Sequence, residues 1–156
     1  SMSVGRKVLL VDCDFRRPRI HTSLGIEPTV GLAEVLEGKA DLGDAILKVD
    51  TLNMDVLPVR TRPDNPSELL ASSTMSETIA KLGGSYDQII LDTPACLGLP
   101  DAKTVSELSD GVVLVVRAGV TPKQDVEAVL EVLDQRRVLG LLLNGTEPDP
   151  ARRGYS

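Results

Sequence analysis

Four short stretches of the chain are almost unbroken Val, Leu and Ile. They are Lys7–Asp12 (KVLLVD), Gln88–Asp92 (QIILD), Gly111–Arg117 (GVVLVVR) and Val138–Asn144 (VLGLLLN). A strand with one face in water alternates apolar and polar residues. These do not alternate, so both faces need cover, which is the condition of a parallel sheet flanked by helices. Met54–Val59 (MDVLPV) is a weaker fifth strand, and Pro58 pushes its end towards an edge or a terminus.

Helical patterns fall between these runs: Leu32–Glu37, Asp41–Lys48, Pro66–Leu82, Asp101–Leu108 and Pro122–Arg136. The last is the clearest, with Thr121 placed to cap it, Pro122 suited to its first turn, and Val126, Val129, Leu130 and Leu133 at helical spacing. Gly83-Gly84 stops the third. Strands alternating with helices give an α/β class with a parallel sheet, and 156 residues suit one domain. Aromatic residues are only 2% of the chain, so the core must be aliphatic.

Composition removes several functions. The net charge is −6, and an acidic chain almost without aromatics lacks both the basic field and the stacking platforms of a nucleic-acid binder. The longest apolar stretches, Val8–Val11 and Val112–Val116, fall far short of the ~20 residues that cross a bilayer. Cys13 and Cys96 are too few for a disulfide framework and fit a reduced, cytoplasmic setting. His21 is the sole histidine; without Cys or His neighbours it cannot build a zinc site, and it reads as part of the turn after Pro18.

Ligands of open parallel sheets bind beyond the carboxyl ends of the strands. Two strands end there in aspartate: Val8–Asp12, continuing Cys13-Asp14-Phe15-Arg16, and Ile89–Asp92, continuing Thr93-Pro94. A carboxylate at the end of a buried strand needs a partner. Hydrated magnesium is a natural one, held by one or two carboxylates together with phosphate oxygens. The bland alternative is that Asp starts turns well. If the first strand continued, Asp12 and Asp14 would point to opposite sides and do different work. Cys13 lies between two aspartates, which raises its pKa and blunts its reactivity. Arg16, Arg17 and Arg19 form either a solvated turn or a contact to phosphate or carboxylate.

Val8 to His21 (VLLVDCDFRRPRIH) resembles the second Walker motif of bacterial tyrosine kinases, the P-loop kinases of polysaccharide export systems. QIILDTPA resembles their Walker B strand, which usually ends Asp-x-Pro-Pro; here Ala95 stands for the second proline. Gly31–Leu36, Asn65–Leu70 (NPSELL), Asp101-Ala102, Gly111–Arg117 and Gly140–Asn144 are similar to further family segments, in order. The resemblance runs from residue 5 to about residue 146. It implies a P-loop NTPase-like, doubly wound, mostly parallel sheet with helices on both faces, spanning residues 3–146, followed by a polar tail at 147–156. It implies an autokinase that moves the ATP γ-phosphoryl group to tyrosine in capsule or exopolysaccharide assembly. Asp12 and Asp92 would hold Mg2+, with Asp14 a base or second metal contact. Arg16 and Arg17 would lie near phosphates or a partner subunit. Asn144 would read the nucleotide base, its plain alternative being a strand-end cap. The implied partner is a membrane chain-length or activator protein, which would tether a cytoplasmic domain to the inner membrane, and a homo-oligomer fits the family.

One family element is not found in these residues. A strand, a Gly-rich loop ending Gly-Lys-Ser/Thr and a helix are expected just before Gly5-Arg6-Lys7. The only Gly-Lys is Gly38-Lys39, followed by Ala40, and six residues separate Gly31 from Gly38 rather than four, so this pair is a decoy. That loop supplies the backbone N–H cradle, the lysine and the magnesium-binding hydroxyl, so very weak ATP binding and no phosphorylation are expected of this chain alone. The missing strand would lie beside the Walker B strand. Its burial is worth ~8–15 kcal/mol, as much as a domain's whole stability of ~5–15 kcal/mol. Either the chain is part of a longer protein, or the sheet closes with Lys7–Asp12 against Gln88–Asp92, or another copy supplies surface. Only Tyr155 stands where the family often carries a tyrosine cluster. Two alternatives to the kinase stay open: a non-catalytic regulatory or interaction module of the same fold, and a partitioning-type ATPase, which the Asn65–Leu70 segment disfavours.

Overall fold

A computed structural model describes residues 5–97 and 100–146; the expected tail and Tyr155 lie outside them. The chain divides into two units, one ending at Leu108 and one beginning at Ser109.

The first unit is built on β1 (Val8–Asp12), whose Leu9 and Val11 are fully buried. Short helices α1 (Ile20–Leu24), α2 (Leu32–Leu36) and α3 (Leu42–Ala45) follow. Then come strands β2 (Leu47–Val49) and β3 (Met54–Leu57), helices α4 (Pro66–Leu70) and α5 (Ser73–Gly83), strand β4 (Gln88–Asp92) and helix α6 (Pro100–Ser106). The sheet order is β2-β3-β1-β4. β1 runs parallel to both neighbours, and its pairing with β4 is in register from Val8↔Gln88 to Asp12↔Asp92. Only β2 is antiparallel.

Alternation along the strands fills both faces of this sheet. Leu9, Val11 and Leu57 point to one side, where Leu32 and Leu36 of α2, Leu70, Met75 and Leu82 of α4 and α5, and Val105 of α6 close the larger core. Leu10 and Val56 point to the other, against Ile20 and Leu24 of α1 and Val49. Each fully buried leucine of the larger core contributes roughly 1.5–3 kcal/mol. The helices sit where the spacing of their buried residues puts them. Met75, Thr78 and Leu82 share one face of α5, and Ser72 caps it by accepting the Met75 N–H at 3.2 Å.

The second unit contains β5 (Val112–Arg117), α7 (Lys123–Val132) and β6 (Val138–Asn144). β5 and β6 pair in parallel up to Arg117↔Asn144.

The structure changes several expected elements. The segment expected as a helix over Asp41–Lys48 stops at Ala45, because Leu47–Val49 is drawn into the sheet by β3, after a 3-10 turn at Asp50–Leu52 and Asn53 in the left-handed region. β2 takes the outer position, so β3 is internal rather than at an edge, and it ends before Pro58. The expected helix Pro66–Leu82 is two. Ser72 breaks it by donating to the Leu69 carbonyl at 2.7 Å while capping α5. His21 belongs to α1 rather than to a turn, and its Nδ1 is buried with no partner among the described residues. Thr121 does not cap α7; its hydroxyl accepts the Arg117 N–H at 3.1 Å, and the helix gives way to a 3-10 turn at Gln135–Arg137. Burial on both faces holds for β1 and β3, whereas Ile90 of β4, Val113 and Val115 of β5, and Leu139, Leu141, Leu142 and Leu143 of β6 are exposed. Among the described residues β4 has β1 as its only ladder neighbour, and β5 has only β6.

Candidate functional site

Parallel pairing in register brings Asp12 and Asp92 to the same level at the carboxyl edge of the first sheet. The strands do not run on. The Cys13 N–H donates to the Asp92 carbonyl at 2.8 Å, and the chain then curls back on Asp12. One Asp12 oxygen accepts the Asp14 N–H at 3.1 Å and the other accepts the Ile20 N–H at 3.4 Å. Asp14 in turn accepts the Arg17 N–H at 2.9 Å. Because β1 ends at Asp12, the opposite-sides geometry expected for a continuing strand does not arise; Asp12 and Asp14 lie at one loop.

The electrostatics follow from this crowding. Asp12 is fully buried. Burial pushes its carboxyl up to about 6 against the pull of the two N–H donors, and the charges of Asp92 and Asp14 push it further the same way. Asp92 is also raised, first by burial and then by Asp14. Three of the expected site carboxylates are therefore within electrostatic reach of one another. Cys13, fully buried, has its thiol pushed up mainly by burial and further by Asp12 and Asp92, which makes it inert. Cys96 is half-buried, and burial raises it too.

A cation would relieve this repulsion, and the donors are all carboxylate oxygens, the hard ligands that magnesium takes. Asp12 spends both oxygens on backbone N–H groups. The Asp92 carboxylate and one carboxylate oxygen of Asp14 carry no hydrogen bond among the described residues, which makes them the freer donors. No group of three or more His, Cys, Asp or Glu among the described residues is arranged to hold a metal by itself. Magnesium would therefore share these carboxylates with water and phosphate oxygens, and the residues fit that mode.

Arg16 is not a free anion contact. Its Nε donates to Asp101 at 2.7 Å and its terminal nitrogen to the Ser67 hydroxyl at 2.9 Å, while Ser67 donates to the second Asp101 oxygen at 2.5 Å. Asp101 is 2% exposed. Burial works against its ionisation, but the bonds from Arg16 and Ser67 and the guanidinium charge outweigh it and hold the carboxyl below its ordinary range. No spacing rule connects residues 16, 67 and 101. Their only trace in the sequence is that all three lie in motif-bearing segments.

Asn144 ends β6 in the second unit, where its carbonyl accepts the Ala118 N–H at 2.8 Å. Gly31 and Lys39 have other work. Gly31 precedes α2, with its N–H on Glu34 and no room for a side chain beside the Pro58 and Arg60 backbone. Lys39 pairs with Glu37 at 2.6 Å. No helix among the described residues is long and apolar enough to cross a membrane.

A family profile described as an AAA domain matches residues 2–138. Tyrosine-protein kinase YwqD of Bacillus subtilis (strain 168) is 38% identical over 143 residues, covering 90% of this chain and 60% of the relative. Tyrosine-protein kinase CpsD of Streptococcus agalactiae is 33% identical over 153 residues, covering 96% of this chain and 67% of the relative. Among solved structures the VpsO kinase domain superposes with a TM-score of 0.86 at 35% identity, covering 92% of this chain and 72% of that one. The chain thus spans about three fifths of the length of YwqD.

Proposed function

The chain belongs to the bacterial tyrosine-kinase family, within the wider AAA-domain family, and from that premise we propose that residues 3–146 are the nucleotide-handling part of a tyrosine autokinase of capsule or exopolysaccharide systems. The observation that carries the reading is the convergence of Asp12, Asp14 and Asp92 at the carboxyl edge of the first sheet. Asp92 offers its carboxylate oxygens to Mg2+ that would accompany ATP, and the ion would supply charge neutralisation at the phosphates. Asp12 orients the loop that presents Asp14. Asp14 is then the group placed to accept a tyrosine hydroxyl proton, a role that requires an approach to within ~3 Å. We assign Asn144 to the nucleotide base. The membrane-bound activator, and the peripheral cytoplasmic location that follows from it, remain part of this proposal.

These 156 residues contain no Gly-Lys-Ser/Thr sequence. The proposal therefore expects the chain by itself to hold Mg-ATP very weakly, because the Gly-Lys-Ser/Thr loop that would cradle the phosphates is not among these residues. Calorimetric titration tests this, and micromolar affinity would refute it. The carboxylate site is tested separately with Mn2+ as a paramagnetic probe. Selective broadening of the Asp14 and Thr93 amides is expected, and Asp92→Asn should remove it. Broadening spread evenly over the acidic surface would count against the site.

A further inference from the structure

We propose that Arg16, Ser67 and Asp101 form a positioning clasp that locks the Asp12–Arg19 loop to the start of α4 and to α6, so that Arg16 serves the carboxylate site through geometry and not by touching phosphate. The inference rests on the reading of Asp12, Asp14 and Asp92 as the working site. Its basis is a closed ring of three hydrogen bonds between segments far apart in sequence. Ser67 completes the ring by accepting from Arg16 and donating to Asp101. Both Asp101 oxygens are taken, and the carboxylate is buried, so removing Arg16 leaves a charge without compensation and removing Ser67 leaves one oxygen without its donor.

What the ring joins gives it its role. Arg16 lies two residues beyond Asp14, in a loop otherwise fastened at its two ends by Asp12. Phe15, 1% exposed, anchors the middle of that loop in the larger core. Asp101 stands at the start of α6, downstream of Asp92. Ser67 belongs to the Asn-Pro-Ser-Glu-Leu-Leu segment, whose Pro66 opens α4. The clasp therefore ties the segment after β1, which carries Asp14, to the segment after β4, the strand that Asp92 ends. A lysine cannot reproduce the fork, because its single ammonium cannot hold Asp101 and Ser67 in one plane.

The test is amide hydrogen exchange by NMR on the whole chain, with Arg16→Gln, Arg16→Lys and Ser67→Ala. Asp14, Arg17 and Ile20 donate the loop's own hydrogen bonds, and Leu10 and Val11 report on β1. The clasp predicts exchange at least tenfold faster at the three loop amides in Arg16→Gln and Ser67→Ala, with Leu10 and Val11 unchanged. Arg16→Lys should fall between. Unchanged loop exchange overturns the proposal. So does acceleration equal in the loop and in β1, which would mark Arg16 as a contributor to general stability only. In the same samples, Mn2+ half-saturation of the Asp14 broadening should weaken at least threefold in Arg16→Gln. A wild-type chain that shows no broadening defeats the metal reading, while the exchange rates still decide the clasp.

Discussion

Gly31→Ala isolates a contact that looks trivial in the sequence. The added methyl group would stand 2.4 Å from the Pro58 carbonyl oxygen and 2.6 Å from the Arg60 nitrogen. Both are backbone atoms, so no side chain can swing aside, and the segments must part by more than half an ångström. Overpacking of this kind costs ~1–3 kcal/mol. The same movement strains the Leu32 N–H bond to the Pro58 carbonyl, now 2.8 Å, worth ~1 kcal/mol. The expected loss is therefore about 2–4 kcal/mol, a large share of a small domain's stability. Two glycines serve as controls. Gly43 lies inside α3 with open space around its α-carbon, so Gly43→Ala should stabilise by ~0.5–1 kcal/mol. Gly38 has a φ of +70° and nothing nearby, so Gly38→Ala carries only left-handed strain of ~1–2 kcal/mol. Urea unfolding followed by far-ultraviolet circular dichroism measures all three, since the chain has no tryptophan. A Gly31→Ala variant within about 0.5 kcal/mol of wild type would refute the close approach, because the error of such a comparison is smaller than the overpacking cost.

Other outcomes follow from single contacts. Tyr86 should ionise at about 12, first because it is part-buried and then because its hydroxyl donates to Asp55 at 2.7 Å; ultraviolet titration should show Asp55→Asn lowering that value. The folded value is raised, so Tyr86 supports the fold below about pH 10 and loses that support as pH climbs through 12. Asp101 behaves oppositely. Its folded value is lowered, so its contribution is present above the ordinary 3.8 and is lost as acid passes below that; the stability gap between wild type and Asp101→Asn should narrow from pH 6 to pH 3 in urea titrations. Phe15→Ala empties a site that is 1% exposed and should cost ~3–5 kcal/mol in the same urea assay.

Apolar runs made four parallel strands readable, because each is almost unbroken Val, Leu and Ile, although of the four only β1 is enclosed on both faces. β1, β4, β5 and β6 lie where the Val, Leu and Ile runs are. β2 was not readable. Leu47-Lys48-Val49 has no strand identity of its own and becomes one only because β3 offers it an edge. The break between α4 and α5 was hidden for a related reason: Ser72 can sit in a helix or cap one, and the choice is made by hydrogen bonds to Leu69 and Met75. At the site, Asp12 and Asp92 were visible as charges ending apolar strands. The capture of Arg16 by Asp101 was not, because it joins positions 85 residues apart through a third residue that no periodicity marks.

The exposed leucines of β6 bear on how the protein behaves in bulk. Leu139 is 74% exposed, and Leu141, Leu142 and Leu143 are each more than half exposed, on a strand of high β-propensity with no charge between Val138 and Leu143. Such a segment is a template for stacking of like strands. Self-association of this chain will therefore set in at a lower concentration than the net charge of −6 would suggest. Light scattering against concentration would expose this self-association, and a lysine at position 141 should delay it by acting as a gatekeeper on the apolar run.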